Sequence, residues 1–167
     1  GDRPISSTRI RLLLQEGRVA EAATLLGRTY TIWGPVIAGD QRGRTLGFRT
    51  ANLRLDPNRA IPALGVYAVW VCLGKGPLPE GALYPAVANV GVHPSFGASE
   101  EPLLEVHLMD YEGDLYGETL GVGFVERLRP EMTFPNADAL VAQIKQDVER
   151  TRQLLTPEAP RPQCQTW

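Results

Sequence analysis

Between Gly39 and Arg54 the chain gathers groups suited to holding an anion. Gly39, Gly43 and Gly47 let backbone N–H groups come close to a phosphate, and Arg42 and Arg44 add positive charge. Four Arg against one Asp give the stretch a local charge of +3 on a chain of net charge −2. That contrast suits a confined phosphate site, and it equally suits a plain glycine-rich hairpin. No Gly-Lys-Ser/Thr follows, so this is not a Walker loop. Thr50 and Asn52 stand two residues apart, so in an extended segment both project to one side while Ala51 turns away. A hydroxyl and an amide oxygen facing one point suit Mg²⁺, which keeps waters and takes further ligands from nucleotide phosphates. The same pair can instead stabilise a turn through side-chain hydrogen bonds.

Glu105 stands in the middle of an apolar strand pattern, where a carboxylate is a poor β-former and costly if buried unpaired. It could accept a proton from an attacking hydroxyl, or it could face solvent and pair with an Arg. His107 shares its parity and reads as a structural histidine. His93 precedes Pro94 in a loop pattern, and two histidines do not make a zinc site.

These residues must be positioned by short strands. Glycines and prolines punctuate apolar runs at Tyr30–Val36, Ala51–Leu55, Gly65–Leu73, Leu83–Val90, Leu103–Tyr111 and Leu120–Val125. About six such strands in roughly a hundred residues predict a small antiparallel barrel or sandwich. Val66–Leu73 is apolar on both parities and predicts a strand covered on both faces. Leu104, Val106 and Leu108 share one face of the Leu103–Tyr111 run, leaving Glu105 and His107 on the other. Before the strands, Ser6, Ser7 and Thr8 offer caps to a helix carrying Ile10, Leu13 and Leu14, which Gly17 ends. A second short helix carries Val19, Ala22, Ala23 and Leu26, with Gly27 as its C-cap. After the strands, Asn136 caps a helix with Asp138 in its first turn and Leu140, Val141, Ile144 and Val148 as its stripe. Residues 157–167 read as a flexible tail.

Composition narrows the classes. A chain of 167 residues, 43% apolar and 22% charged, is long enough for one core and too apolar for wholesale disorder. Its net charge of −2 and 7% aromatic content argue against a nucleic-acid groove. No apolar run approaches the ~20 residues of a membrane helix. Cys72 in an apolar run and Cys164 in the polar end make no disulfide framework, so Cys72 reads as a small core residue and the cytoplasm as the simplest location.

Against that background, Gly43–Leu53 (GRTLGFRTANL) resembles the glycine-rich loop and Pro-Thr-Ala-Asn motif of riboflavin kinases. Tyr84–Gly97 (YPAVANVGVHPSFG) resembles the second loop of that family, and Leu104–Asp110 (LEVHLMD) with Asp114–Gly117 (DLYG) is similar to its catalytic strand. Leu128–Phe134 (LRPEMTF) and the following helix extend the likeness over about residues 28–155. The opening Ile5–Arg11 (ISSTRIR) is similar to the end of the adenylyltransferase module of bacterial bifunctional FAD synthetases.

The resemblance implies a mainly β fold, a six-stranded antiparallel Greek-key barrel with a C-terminal helix. It implies three parts: residues 1–27 left from the adenylyltransferase module, a kinase domain over 28–156, and the tail. The implied activity is ATP-dependent phosphorylation of the riboflavin 5′-hydroxyl to FMN with Mg²⁺, without FMN adenylyltransferase activity. The alternative is a barrel that binds flavin or nucleotide without turnover. By resemblance Glu105 is the catalytic base, and Thr50 and Asn52 are ligands of Mg²⁺ and phosphate. Gly39, Arg44, Leu108, Asp110 and Tyr116 would contact ATP, and Arg129, Met132 and Phe134 would close over the flavin. The implied partners are small molecules and, in a full-length chain, the adenylyltransferase module, with neither nucleic acid nor membrane. Two departures stand out. Arg49 replaces the motif proline, which predicts a less ordered loop, and Ser95 replaces the usual Thr while keeping its hydroxyl.

Overall fold

A computed structural model describes residues 6–37, 50–56, 58–73, 83–94, 100–109, 117–159 and 161–162. Two helices open it, α1 (Ser7–Gln15) and α2 (Val19–Leu26). Six strands follow: β1 (Tyr30–Ile37), β2 (Thr50–Arg54), β3 (Gly65–Leu73), β4 (Leu83–Pro94), β5 (Glu100–Leu108) and β6 (Thr119–Arg129). Helix α3 (Ala137–Leu154) comes last. The strands close into an antiparallel barrel in the order β1-β2-β5-β4-β3-β6, with β2 crossing to β5 in Greek-key fashion. Strands β4 and β6 run about four residues past their expected ends, and β5 starts three residues early and stops three short of Tyr111, because pairing with neighbours and not the apolar run sets the limits.

Alternation along the strands sorts the side chains. Ala51, Leu53, Tyr67, Val69, Val71, Ala88, Val90, Leu104, Val106, Leu120, Val122 and Phe124 fill the interior. Tyr67 and Phe124 meet edge to face there, ring centroids 5.3 Å apart. The expectation for β3 is met, since Gly65 to Cys72 are all buried: its outward residues Val66, Ala68 and Trp70 lie in a second cluster with Val87, Met109, Leu128 and Leu155.

The helices on either side of the strands are seated on the barrel. Ser6 caps α1 by accepting from the Arg9 N–H, and Gly27 is the C-cap of α2. Leu13, Leu14, Val19 and Ala22 belong to the same core as the barrel interior, and the Ala63 N–H donates to the Leu14 carbonyl at 2.9 Å. Asn136 caps α3 as expected, accepting from the Ala139 N–H. The buried residues of α3, however, are Asp147 and Thr151, while the expected stripe is only half-buried. The Arg129–Asp147 pair seats that face together with Val148 and Leu154, which pack on the second cluster.

Two expectations are corrected. Part of the segment read as a flexible tail lies against the barrel: Arg161 sits 5.2 Å over the Trp70 ring, and Pro162 is buried where Gly123 has no side chain. A Cβ on Gly123 would come within 2.8 Å of Pro162, so the seat depends on that glycine. Cys72 is fully buried, as expected of a small core residue, but it is disulfide-bonded and not a free thiol. The chain's other cysteine, Cys164, lies outside the described residues.

Candidate active site

The polar groups singled out above meet on the outer face of three adjacent strands. Because Leu104, Val106, Ala51, Leu53, Ala88 and Val90 point inward, Glu105, His107, Thr50, Asn52 and Asn89 take the opposite face. Strand register aligns them. Asn52 of β2 is paired with Glu105 of β5, which is paired with Asn89 of β4. One step along, Thr50 faces His107, which faces Val87. Directly paired side chains have Cβ atoms about 4.5–5.5 Å apart. A hydroxyl, two amides, a carboxylate and an imidazole therefore fall within two neighbouring rows.

Glu105 is the centre of its row and half-buried, as are Thr50, Asn52 and His107. Glu105 and His107 both have interaction partners, so neither is an idle surface group. Asn89 differs: its Oδ1 is buried and accepts no hydrogen bond among the described residues. Beyond Asn89 the same face reaches Gly91, over which the Glu131 carboxylate lies. A Cβ on Gly91 would fall 2.7 Å from Glu131 Oε1. The absence of a side chain there lets the segment after β6 approach the row.

That segment is held from behind. The Arg129 guanidinium donates to both carboxylate oxygens of Asp147 on α3, with Nη2 2.9 Å from Oδ2 and Nε 3.1 Å from Oδ1. The Gln143 amide adds a bond to Oδ1 at 3.1 Å. Arg129 also lies 5.7 Å over the Phe134 ring, within cation–π reach. Met132, between them, is 49% exposed.

The face thus unites Glu105, Thr50 and Asn52, with Arg129, Met132 and Phe134 on the adjoining segment. Leu108 is not on it, since its side chain packs with the interior at 5% exposure. Gly39, Arg44, Asp110 and Tyr116 lie outside the described residues, as do Arg42, Arg49 and Ser95. Asn89, Glu131 and Asp147 escaped the sequence reading. An amide in the otherwise apolar run of β4 was the available signal for the first. Asp147 gave none, because its partner lies 18 positions away.

Neutral oxygens from Thr50 and Asn52 on one face beside a carboxylate fit a hydrated Mg²⁺ carrying nucleotide phosphates, as a donor set. Among the described residues there is no group of three or more His, Cys, Asp or Glu able to hold a metal alone. No described helix is long and apolar enough to cross a membrane.

A closed antiparallel barrel that carries its polar chemistry on the outside of three neighbouring strands, backed by one helix, defines the class. Residues 26–155 match the riboflavin kinase (Flavokinase) family, and the chain belongs to it. A bifunctional riboflavin kinase/FMN adenylyltransferase of Listeria monocytogenes is 39% identical over 148 residues, covering 89% of this chain and 45% of that protein. Among solved structures, a Streptococcus pneumoniae protein named as a macrolide-efflux protein is 42% identical with a TM-score of 0.80, over 89% of this chain and 46% of the other. A riboflavin kinase from Trypanosoma brucei is 26% identical with a TM-score of 0.54, over 77% and 78% of the two chains. The chain spans about half the length of the curated relatives it matches.

Proposed function

We infer that this chain transfers the γ-phosphoryl group of ATP to the 5′-hydroxyl of riboflavin, giving FMN and ADP. The observation that carries the reading is the register of Glu105 beside Asn52, with Thr50 one step away on the same face. Glu105 orients the hydroxyl and takes its proton as the new O–P bond forms and the bond to the ADP oxygen breaks, a contribution typically of about 10²–10⁴-fold. Thr50 and Asn52 hold Mg²⁺ and the phosphates, and this ion neutralises charge on the phosphates when bound. Phosphoryl transfer through a loose transition state depends mostly on such positioning and charge neutralisation. Arg129, Met132 and Phe134 cover the flavin, while Gly39, Arg44, Asp110 and Tyr116 serve ATP.

The FMN adenylyltransferase activity in the relatives' name is assigned to no residue here. A cytoplasmic location is part of the reading. Reducing compartments rarely keep disulfides, so this location requires the bond at Cys72 to form only after lysis. Thiol titration of protein from freshly lysed cells checks it, two reduced cysteines supporting the location and an intact disulfide opposing it.

The kinase test is chromatographic: riboflavin and ATP, with and without Mg²⁺, analysed for FMN and ADP. Equimolar products only with Mg²⁺ are expected. Flavin binding without FMN would overturn the kinase reading in favour of a binding barrel.

A further inference from the structure

We propose that Asn89 is a substrate-binding residue whose side-chain oxygen accepts a hydrogen bond from a ribityl hydroxyl next to the one that Glu105 serves. The proposal rests on the kinase reading for the identity of the ligand. It starts from a polar atom out of place: Asn89 Oδ1 is buried and accepts nothing from the described residues. Such an orphan is costly in a folded protein, and a native structure keeps few of them. A ligand that donates there would remove the cost.

Position decides which ligand. Asn89 and Asn52 flank Glu105 on opposite sides, one on β4 and one on β2. If Thr50 and Asn52 hold the phosphate side, the alcohol approaches Glu105 from the β4 side. The β4 side also has what a flavin needs. Val87 precedes Asn89 on the same face and joins the apolar cluster with Met109 and Trp70. Glu131 and the segment carrying Phe134 border it across Gly91. A polyol chain running from an apolar ring toward Glu105 passes Asn89, and an amide oxygen can only accept, which matches an O–H donor.

The test separates chain from ring. Riboflavin and lumiflavin, which has the same ring system without the polyol chain, are titrated by fluorescence in the absence of ATP and Mg²⁺. Asn89→Ala is expected to weaken riboflavin binding about three- to tenfold, the size of one hydrogen bond, and to leave lumiflavin unchanged. Asn89→Leu, which fills a similar volume without an acceptor, gives the same comparison should the alanine variant melt early. Equal weakening of both flavins, unchanged riboflavin binding, or no riboflavin binding by the unaltered protein would each overturn the proposal. FMN formation by the unaltered protein is measured in parallel. Turnover with no effect at Asn89 removes this residue alone, whereas Asn89-dependent binding without turnover removes only the kinase reading.

Discussion

Arg129 at the end of β6 and Asp147 in the middle of α3 form a two-pronged ion pair, with side chains only 14% and 5% exposed. The pair joins the barrel to its helix and orients the segment that carries Phe134. Removing one member strands the other. Breaking a buried pair costs roughly 3–5 kcal/mol, so Asp147→Ala is expected to lose about that much in urea unfolding. Replacing both, as Arg129→Met with Asp147→Leu, is expected to recover most of the loss. A double variant as unstable as the single would show that the ion pair itself matters less than the shape of the site.

Glu105→Gln keeps the shape of the side chain and removes the proton acceptor. FMN formation is expected to fall by about 10²–10⁴-fold while riboflavin still binds. Retention of activity within a factor of a few would exclude Glu105 as the base.

Thr50→Val and Asn52→Leu each remove one oxygen from the face shared with Glu105. The Mg²⁺ concentration giving half-maximal turnover is expected to rise by roughly 10- to 100-fold, as for a hydrogen bond or ligand to a charged group. Chelation with EDTA is expected to abolish FMN formation. Turnover that continues in EDTA would contradict the metal assignment.

Two tyrosines, Tyr67 buried and Tyr30 half-buried, set an alkaline limit. Desolvation is the main cause that raises the Tyr67 and Tyr30 hydroxyls above the ordinary value of 10.0. Each O–H donates to a backbone carbonyl, of Ala63 and Ala60 respectively. The folded state therefore favours the protonated forms. Their contribution is complete below the unfolded value of about 10 and is lost as pH rises through the higher folded values. Unfolding midpoints in urea should be flat toward pH 10 from this source and drop above it, less steeply in Tyr67→Phe.

Much of this architecture was legible because β-strands alternate. Leu104, Val106 and Leu108 identified the inner face of β5 and left Glu105 outside. The two apolar parities of β3 announced cover on both sides, which the second cluster supplies. Asn89 was not legible as a neighbour of Glu105, because no local pattern says which strands pair or in what register. The pairing of Arg129 with Asp147 was hidden for the same reason: Arg129 was expected beside the flavin, and nothing local joins it to a helix residue 18 positions away. Pro162 is a third case: its burial depends on a bare backbone at Gly123, contributed by a distant strand.

The matched family domain and the shared core do not have the same border. Family likeness begins at residue 26, yet Leu13, Leu14, Val19 and Ala22 are no more than 8% exposed and share the barrel's core. Burying a Leu or Val fully is worth about 1.5–3 kcal/mol, so the three larger side chains alone represent a sizeable part of a marginal stability. The unit that shares one core is therefore larger than the family domain matched over residues 26–155. A domain trimmed to residues 26–155 would keep every residue assigned to chemistry and lose the floor beneath them.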